Sequence, residues 1–154
     1  KKYVNGSNFE HSIDGITILQ DYIEADPKVI HRVEFINSKF FYTVQVDASE
    51  SFELCPADAC NIEEQFCPTN PDGNKFMIIK DYENPELTNY VNFLKQNEIE
   101  IAGIEYMTDT QGVHYTYDVN TNTNYNSVAE KKAGVFGMKQ IALFLKDELQ
   151  KINK

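Results

Sequence analysis

The feature that most constrains the fold is a pair of strand-like segments separated by only two turn-forming residues. Val29–Ile36 and Lys39–Asp47 are rich in β-branched and aromatic residues, and Asn37 and Ser38 lie between them. A two-residue connection of this kind is typical of a tight β-hairpin, whose strands run antiparallel directly from the turn. This part of the chain is therefore predicted to form antiparallel β structure.

Side chains that alternate between the two sides of a strand sort this hairpin into an apolar face and a polar face. The apolar face is predicted to hold Val33, Phe35, Phe40, Tyr42, Val44 and Val46. The polar face is predicted to hold Arg32, Glu34, Phe41, Thr43, Gln45 and Asp47. Arg32 is the only arginine in the chain, and the face on which it lies could simply be exposed to solvent.

Four further strands are predicted from the same kind of composition. Ile16–Ile23 ends at a turn cluster, Glu24–Pro27, and Phe76–Ile79 could form a short buried strand. Glu100–Thr108 and Val113–Asn120 flank a short turn and are predicted to form a second hairpin. The sheet is therefore expected to be built mainly from hairpins.

Helices are predicted on both sides of the second hairpin. Asn84 as N-cap and Pro85 at the first helical position begin a helix over residues 85–96, and a short helix is indicated near residues 57–65. An amphipathic helix ends the chain, with an apolar stripe of Met138, Ile141, Ala142, Leu145, Leu149 and Ile152. We predict one domain over residues 1–154, of the α+β class, with a mainly antiparallel sheet and helices packed on it.

The charge and the cysteines exclude several classes of function. The chain has 14 basic and 24 acidic residues and a net charge of −10, whereas nucleic-acid and anionic-membrane binding depend on clustered Lys and Arg. No apolar run approaches the ~18–20 residues that cross a bilayer, and no export signal is visible. Cys55, Cys60 and Cys67 suit reduced thiols in a cytoplasmic protein. They lack the fourth ligand of a structural zinc site, and their role stays open.

The second hairpin carries the residues that point to chemistry. Glu105 lies in its first strand, and Asp118 and Asn120 lie in its second. If the turn over residues 109–112 contains an even number of residues, Glu105 faces Thr116 and lies diagonal to Asp118, roughly 7–8 Å away at the backbone. Two carboxylates and an amide oxygen in this arrangement could bind magnesium, which prefers oxygen ligands. A solvated acidic strand face is the alternative that the spacing leaves open.

These residues also resemble a family. Glu105, a short hairpin and then Asp118-x-Asn120 resemble the magnesium signature of the ATP-grasp enzymes, the carboxylate–amine ligases. Residues 18–23 resemble the strand that lines the adenine pocket, residues 31–46 the hairpin that follows it, and residues 136–138 the start of the last helix. The resemblance covers roughly residues 13 to 150, and the glutamate-ligase-like branch is the most similar. The fold that it implies is the C-terminal subdomain of the ATP-grasp fold.

The resemblance implies a role for each matching residue. Glu105, Asp118 and Asn120 would hold Mg²⁺, or Mn²⁺, on the phosphates of ATP. Arg32 would be the catalytic residue that stabilises the phosphate and the reaction intermediate. The remaining ATP contacts would come from Gln20, Asp21, Tyr22 and Ile23 at the adenine, Glu24 or Asp26 at the ribose, and Asn122 and Asn124 at the phosphates or substrate.

The implied function is the ATP-dependent joining of a small-molecule carboxylate to an amine through an acyl phosphate. Gln45 departs from the family, since many relatives carry a basic residue there. The N-terminal domain, with a glycine-rich flap and two ATP-binding lysines, would lie upstream of Lys1. We therefore expect this chain to be the C-terminal half of such a ligase and to be inactive by itself.

Two other functions remain compatible with the sequence. A free-standing, non-catalytic binding or interaction module that retains the ATP-grasp fold would account for the missing lysines and flap. An acidic scaffold without a ligand would show no magnesium-dependent change in melting temperature when ATP is added.

Overall fold

The computed structural model describes residues 13–16, 20–49 and 76–153. They form a five-stranded antiparallel sheet with the strand order β3-β2-β1-β4-β5, and three helices. The strands are β1 Ala25–Ile36, β2 Lys39–Asp47, β3 Phe76–Ile79, β4 Ile101–Asp109 and β5 His114–Asn120. The helices are α1 Leu87–Gln96, α2 Ser127–Ala133 and α3 Gly137–Ile152. The predicted α+β class, with a sheet built from hairpins, is confirmed.

The first hairpin turns through two residues, as predicted. Asn37 and Ser38 both have positive φ, 58° and 49°, which is the backbone of the tight turns that match the twist of a hairpin. Beside the turn, Ile36 pairs with Lys39. The register then shifts between Glu34 and Phe35, so that Phe41 is an extra residue in β2 and a β-bulge follows the turn.

This bulge overturns the predicted division of the hairpin into one apolar and one polar face. Beyond it, Tyr42 pairs with Glu34 and Val44 pairs with Arg32, so the apolar side chains of β2 share a face with Arg32. Gln45 moves to the opposite face, where it pairs with His31. The physical reason is that one inserted residue sends every later side chain of a strand to the other side.

Both faces of the sheet consequently carry a buried core. We call the first the α1 face, because helix α1 covers it; its core is Val33, Phe35, Tyr90, Leu94, Ala102, Ile104 and Tyr106. We call the second the Arg32 face; its core is Ile30, Tyr42, Val44 and Val46, with Tyr125 and Val135 packed against it. Arg32 therefore lies beside a core and not on a simple solvent-exposed surface.

The segment after β5 closes over the Arg32 face through a buried carboxylate. Glu130 in α2 is buried, and its Oε1 accepts a hydrogen bond from the hydroxyl of Tyr42 at 2.9 Å. The same oxygen accepts a hydrogen bond from the backbone N–H of Gly137 at 2.6 Å. Glu130 thus joins α2 to strand β2 and to the first residue of α3.

The predicted strand over Ile16–Ile23 is wrong for the residues that can be compared. Ile16 and Gln20–Glu24 belong to no strand, and residues 17–19 lie outside the described part of the chain. Strand β1 begins instead at Ala25, within the predicted turn, where Ala25 pairs with Asp109 of β4. Strand β1 begins where its pairing with β4 begins, and the local amino-acid composition contains no information about that pairing.

The predicted helices correspond to α1 and α3, with differences at their boundaries. Helix α1 begins at Leu87, two residues later than predicted, because Asn84 forms a turn. The Oδ1 of Asn84 accepts a hydrogen bond from the N–H of Glu86 at 2.8 Å, and the carbonyl of Asn84 accepts one from the N–H of Leu87 at 3.0 Å. Helix α2 was not predicted. Asn126 caps it by accepting from Ala129 N at 2.8 Å. The helix predicted near residues 57–65 and the three cysteines lie outside the described residues.

Helix α3 buries a different side from its apolar stripe. Gly137 and Phe144 are its buried residues, whereas much of the predicted stripe is exposed, namely Met138, Leu145, Leu149 and Ile152. None of the helices in the described residues has the length and apolar character needed to span a membrane.

Candidate functional site

Three of the predicted site residues lie side by side across three strands. Arg32 of β1 pairs with Glu105 of β4, and Glu105 pairs with Asp118 of β5. Residues directly opposite each other in a sheet project to the same face. The row Arg32–Glu105–Asp118, which we call the carboxylate row, is therefore a continuous line of charged side chains on the Arg32 face.

A second row runs beside the carboxylate row, one side-chain repeat along the strands. Glu34 pairs with Gly103, and Gly103 pairs with Asn120. Since residues two apart on a strand share a face, Glu34 and Asn120 project to the same side as Arg32 and Asp118. The sheet thus brings together Arg32 and the three predicted metal ligands, together with Glu34.

The predicted pairing of Glu105 with Thr116 is wrong. The turn holds three residues between Asp109 and Val113, whose backbone groups are hydrogen-bonded at 3.0 Å, and not the even number that the prediction assumed. A register shift between Glu105 and Tyr106 then adds Tyr117 as an extra residue. As a result Asp118 is the direct partner of Glu105, with Cβ atoms roughly 4.5–5.5 Å apart, closer than the predicted diagonal.

Arg32 is held by two hydrogen bonds. Its Nε donates to Oε1 of Glu34 at 2.6 Å, and one terminal nitrogen donates to the backbone carbonyl of Asn124 at 2.7 Å. The side chain of Arg32 is 14% exposed and that of Glu34 is 0% exposed. Both groups of this ion pair are largely removed from water, so its geometry is much better defined than that of a surface pair.

Glu34 is an unusual carboxylate because it is fully buried. Burial raises its pKa from 4.5 to about 7, and this shift remains although the Arg32 charge lowers the pKa. Its second oxygen, Oε2, has no hydrogen-bond partner among the described residues. The space for the side chain comes from Gly103, where a Cβ would lie 3.2 Å from Oε2 of Glu34 and 3.3 Å from Cδ of Arg32.

The raised pKa of Glu34 predicts a pH-dependent stability. A carboxyl group with a higher pKa in the folded state binds protons more tightly there than in the unfolded state. Its contribution to the free energy of unfolding is therefore greatest below pH 4.5 and is lost as the pH rises through about 7. We expect the free energy of unfolding of the wild type, relative to Glu34→Gln, to fall by about 3 kcal/mol over this range. Urea denaturation of both proteins at pH 4.5, 6 and 8 measures it, and parallel pH profiles would contradict it.

The two carboxylates of the carboxylate row differ in exposure. Glu105 is half-buried, and burial together with the negative charge of Asp118 raises its pKa, whereas Tyr117 and the Arg32 charge lower it. Asp118 lies on the edge strand β5 and is exposed. A divalent cation between them would remove the repulsion of the two negative charges.

The donor set fits a magnesium ion that is also bound by a phosphate. Over residues 13–16, 20–49 and 76–153, no three His, Cys, Asp or Glu side chains form a metal site by themselves. Glu105 and Asp118 supply two carboxylates, and Asn120 adds an amide oxygen. Mg²⁺ commonly takes one or two carboxylates and completes its octahedron with water and substrate phosphates. The arrangement therefore suits a metal delivered with a nucleotide better than a tightly held structural ion.

The loop after β5 folds back towards the carboxylate row. The backbone N–H of Asn122 donates to Oδ1 of Asn120 at 2.8 Å, and the carbonyl of Asn124 accepts from Arg32. Thr123 lies between them, and a Cβ at Gly103 would be 2.9 Å from its Cγ2. Asn122 and Asn124, which were predicted to contact phosphate or substrate, thus lie near the site and contact its residues through backbone groups.

The residues predicted to bind adenine and ribose lie away from the carboxylate row. Gln20–Glu24 precede β1, and Asp26 is the second residue of β1, next to Ala25. Ala25 pairs with Asp109, four residues beyond Glu105 along β4, a separation of about 13 Å. Ala25 and Asp26 therefore lie towards the Asp109 end of β4, so a ligand that contacts both them and the carboxylate row would extend along the sheet.

The sequence prediction missed Glu34 and Gly103 as parts of the site. Glu34 was assigned to a polar face, and the signal that could have singled it out is its position two residues after the only arginine. A glycine inside a strand often marks a close approach of other groups, and Gly103 could have been found in this way. Thr123 carried no signal, because its approach depends on the path of the loop.

Several solved structures have a similar fold. The ATP-grasp ligase PsnB, complexed with a phosphomimetic variant of its minimal precursor, Mg and ADP, matches with a TM-score of 0.51 and 12% identity, over 79% of this chain and 32% of PsnB. Another PsnB structure, with the minimal precursor, matches with a TM-score of 0.51 and 14% identity, over 88% of this chain and 37% of PsnB. The chain has an ATP-grasp-like fold.

A third solved structure with a similar fold is that of a second protein. The macrocyclase MdnC from Microcystis aeruginosa MRC, bound with the precursor peptide MdnA, has a TM-score of 0.51 and 13% identity, over 82% of this chain and 34% of MdnC. This ATP-grasp-like chain thus spans about a third of the length of the proteins that it resembles. No protein-family model matches the sequence, and no curated protein matches it.

Proposed function

We propose that this chain binds Mg²⁺ and ATP as the phosphate-binding part of an ATP-dependent carboxylate–amine ligase. The observation that carries the proposal is the carboxylate row, in which a lone arginine and two carboxylates are direct neighbours across three strands. The ATP-grasp-like fold supports it, since PsnB was solved with Mg and ADP. At 12% identity that support comes from the fold alone.

Each group of the carboxylate row has a task in the proposed reaction. Glu105 and Asp118, with the amide oxygen of Asn120, would hold Mg²⁺, which neutralises the phosphate charge. A substrate carboxylate oxygen would attack the γ-phosphorus, ADP would leave, and an amine would then displace phosphate from the acyl phosphate. Arg32 would donate hydrogen bonds to the phosphoryl oxygens, because its planar group has N–H donors besides those bonded to Glu34 and Asn124.

The substrates of the proposed reaction are a carboxylate and an amine on small molecules or peptides. Peptides are included because MdnC was solved with a precursor peptide and PsnB with a minimal precursor. The remaining contacts to ATP, including the glycine-rich flap and its lysines, would come from the N-terminal part of a longer ligase. We therefore expect these residues by themselves to bind nucleotide weakly and not to complete the reaction.

Neutralising either carboxylate should weaken magnesium-dependent nucleotide binding. We expect Glu105→Gln and Asp118→Asn each to raise the Kd for Mg·ATP by roughly 10- to 100-fold, a loss of about 1.4–2.7 kcal/mol. Calorimetric titration with and without Mg²⁺ measures this effect.

The matched control is Glu83→Gln, which neutralises an exposed carboxylate in the loop after β3 and should leave the Kd within a factor of two. Wild-type affinity in the double variant Glu105→Gln/Asp118→Asn, or binding that does not depend on Mg²⁺, would contradict the proposed site.

A further inference from the structure

Glu34 is a buried carboxylate that the proposed reaction does not use. It lies two residues from Arg32 on β1 and projects to the same face. The proposed phosphate position lies beside Glu105 and Asp118 in the carboxylate row, whereas Glu34 lies in the neighbouring row with Gly103 and Asn120. Its direct contact is the hydrogen bond from Nε of Arg32 to its Oε1 at 2.6 Å.

The two hydrogen bonds of Arg32 fix the plane of its guanidinium group. One comes from Nε to Glu34, and the other from a terminal nitrogen to the carbonyl of Asn124 at 2.7 Å. A guanidinium group is planar and has five N–H donors in a fixed arrangement, so acceptors bound at two of its nitrogens determine its orientation. The remaining N–H groups of the Arg32 guanidinium then also have a fixed orientation.

The surroundings of Glu34 leave its side chain little room to move. The carboxylate is fully buried, beside Gly103, where even a methyl group would come within 3.2 Å of Oε2. Its other neighbour across the sheet is Tyr42, whose hydroxyl donates to Glu130. A side chain confined in this way fixes its hydrogen-bond partner more firmly than a mobile surface carboxylate does.

From this geometry we propose that Glu34 is a positioning residue, which orients Arg32 towards the phosphates of the bound nucleotide. This inference rests on the proposed function. A bound nucleotide would meet a guanidinium group already held in one orientation, so less conformational entropy would be lost on binding. The effect should concern the β- and γ-phosphates and not the nucleoside, because Arg32 lies in the carboxylate row.

The first arm of the test uses the single arginine as a spectroscopic probe. Since the chain contains one arginine, its Nε–Hε group gives one signal in a ¹⁵N-labelled sample of the whole chain. In Glu34→Leu, which removes the acceptor and keeps an apolar side chain in the buried position, solvent exchange of Hε should accelerate by roughly tenfold or more. Glu34→Gln keeps an oxygen acceptor and should remain close to the wild type.

The second arm measures the ratio of the affinities for Mg·ATP and AMP. We expect this ratio to fall by roughly fivefold or more in Glu34→Leu, and to stay within twofold of the wild type in Glu34→Gln and in the control Glu83→Gln. In an Arg32→Met background, Glu34→Leu should change the ratio no further, since Glu34 acts through Arg32. A purely structural role would lower both affinities alike.

The two arms separate a failure of this inference from a failure of the proposed function. Unchanged Hε exchange in Glu34→Leu, or a wild-type affinity ratio in that variant, would overturn the positioning role. A wild type that does not prefer Mg·ATP to AMP would contradict the proposed function, and the exchange arm would still decide whether Glu34 orients Arg32.

Discussion

Replacing Arg32 with methionine is expected to lower the free energy of unfolding by about 3–5 kcal/mol at pH 8. The substitution removes the charge that faces Glu34, and a buried carboxylate without its partner is strongly destabilising. The loss should be smaller at pH 5, because Glu34, whose pKa is about 7 beside Arg32, is then protonated and needs no partner. Chemical denaturation at both pH values measures the effect.

The double variant Arg32→Met/Glu34→Leu is the control for this prediction. It removes both charges and leaves apolar side chains of similar volume, so most of the stability should return. Magnesium-dependent ATP binding should stay weaker in the double variant than in the wild type, which separates the role of Arg32 in the fold from its role in the site. An Arg32→Met protein as stable as the wild type at pH 8 would show that the ion pair is not buried as described.

Replacing Phe35 with alanine should destabilise the protein by a similar amount, about 3–5 kcal/mol, through the loss of packing. The side chain of Phe35 is fully buried on the α1 face. Its ring contacts Phe40 and Tyr90 edge to face, with centroids 6.4 Å apart in both cases. Thermal and urea denaturation measure the loss.

Phe93→Ala provides the matched control for the Phe35 prediction. Phe93 lies on α1 and is 44% exposed, so its truncation leaves no enclosed cavity and should cost under about 1 kcal/mol. Equal losses in the two variants would contradict the assignment of the α1 face as a core. Neither variant should change the Kd for Mg·ATP among molecules that remain folded, because both residues lie across the sheet from the carboxylate row.

The sequence predicted the hairpins correctly and their faces incorrectly, for one physical reason. Asn37 and Ser38 determine the first turn through their own backbone preferences, which are local. The bulge at Phe41 depends on how β2 packs against both cores, and this information is not local. The same limit explains the second hairpin, where Tyr117 is inserted opposite β4 and changes the partner of Glu105.

The composition of the candidate site was predictable, and its exact pairing was not. Glu105, Asp118 and Asn120 stand in a recognisable spacing, and the β4–β5 pairing brings them to one face. Arg32 joins them because β1 is the other neighbour of β4, which no local pattern along the chain reveals. The adenine segment shows the opposite case: Gln20–Ile23 have strand-like composition but belong to no strand, since composition does not supply a pairing partner.

The central claim is that the carboxylate row binds a divalent cation together with ATP, and paramagnetic broadening tests it most directly. Adding Mn²⁺ and ATP to the ¹⁵N-labelled chain should broaden the backbone signals of Glu105, Asp118 and Asn120 and the Nε–Hε signal of Arg32. The signals of α1, on the other face of the sheet, should broaden less than these signals, and excess Mg²⁺ should reverse the effect. Broadening centred elsewhere, or unchanged in Glu105→Gln/Asp118→Asn, would contradict the account.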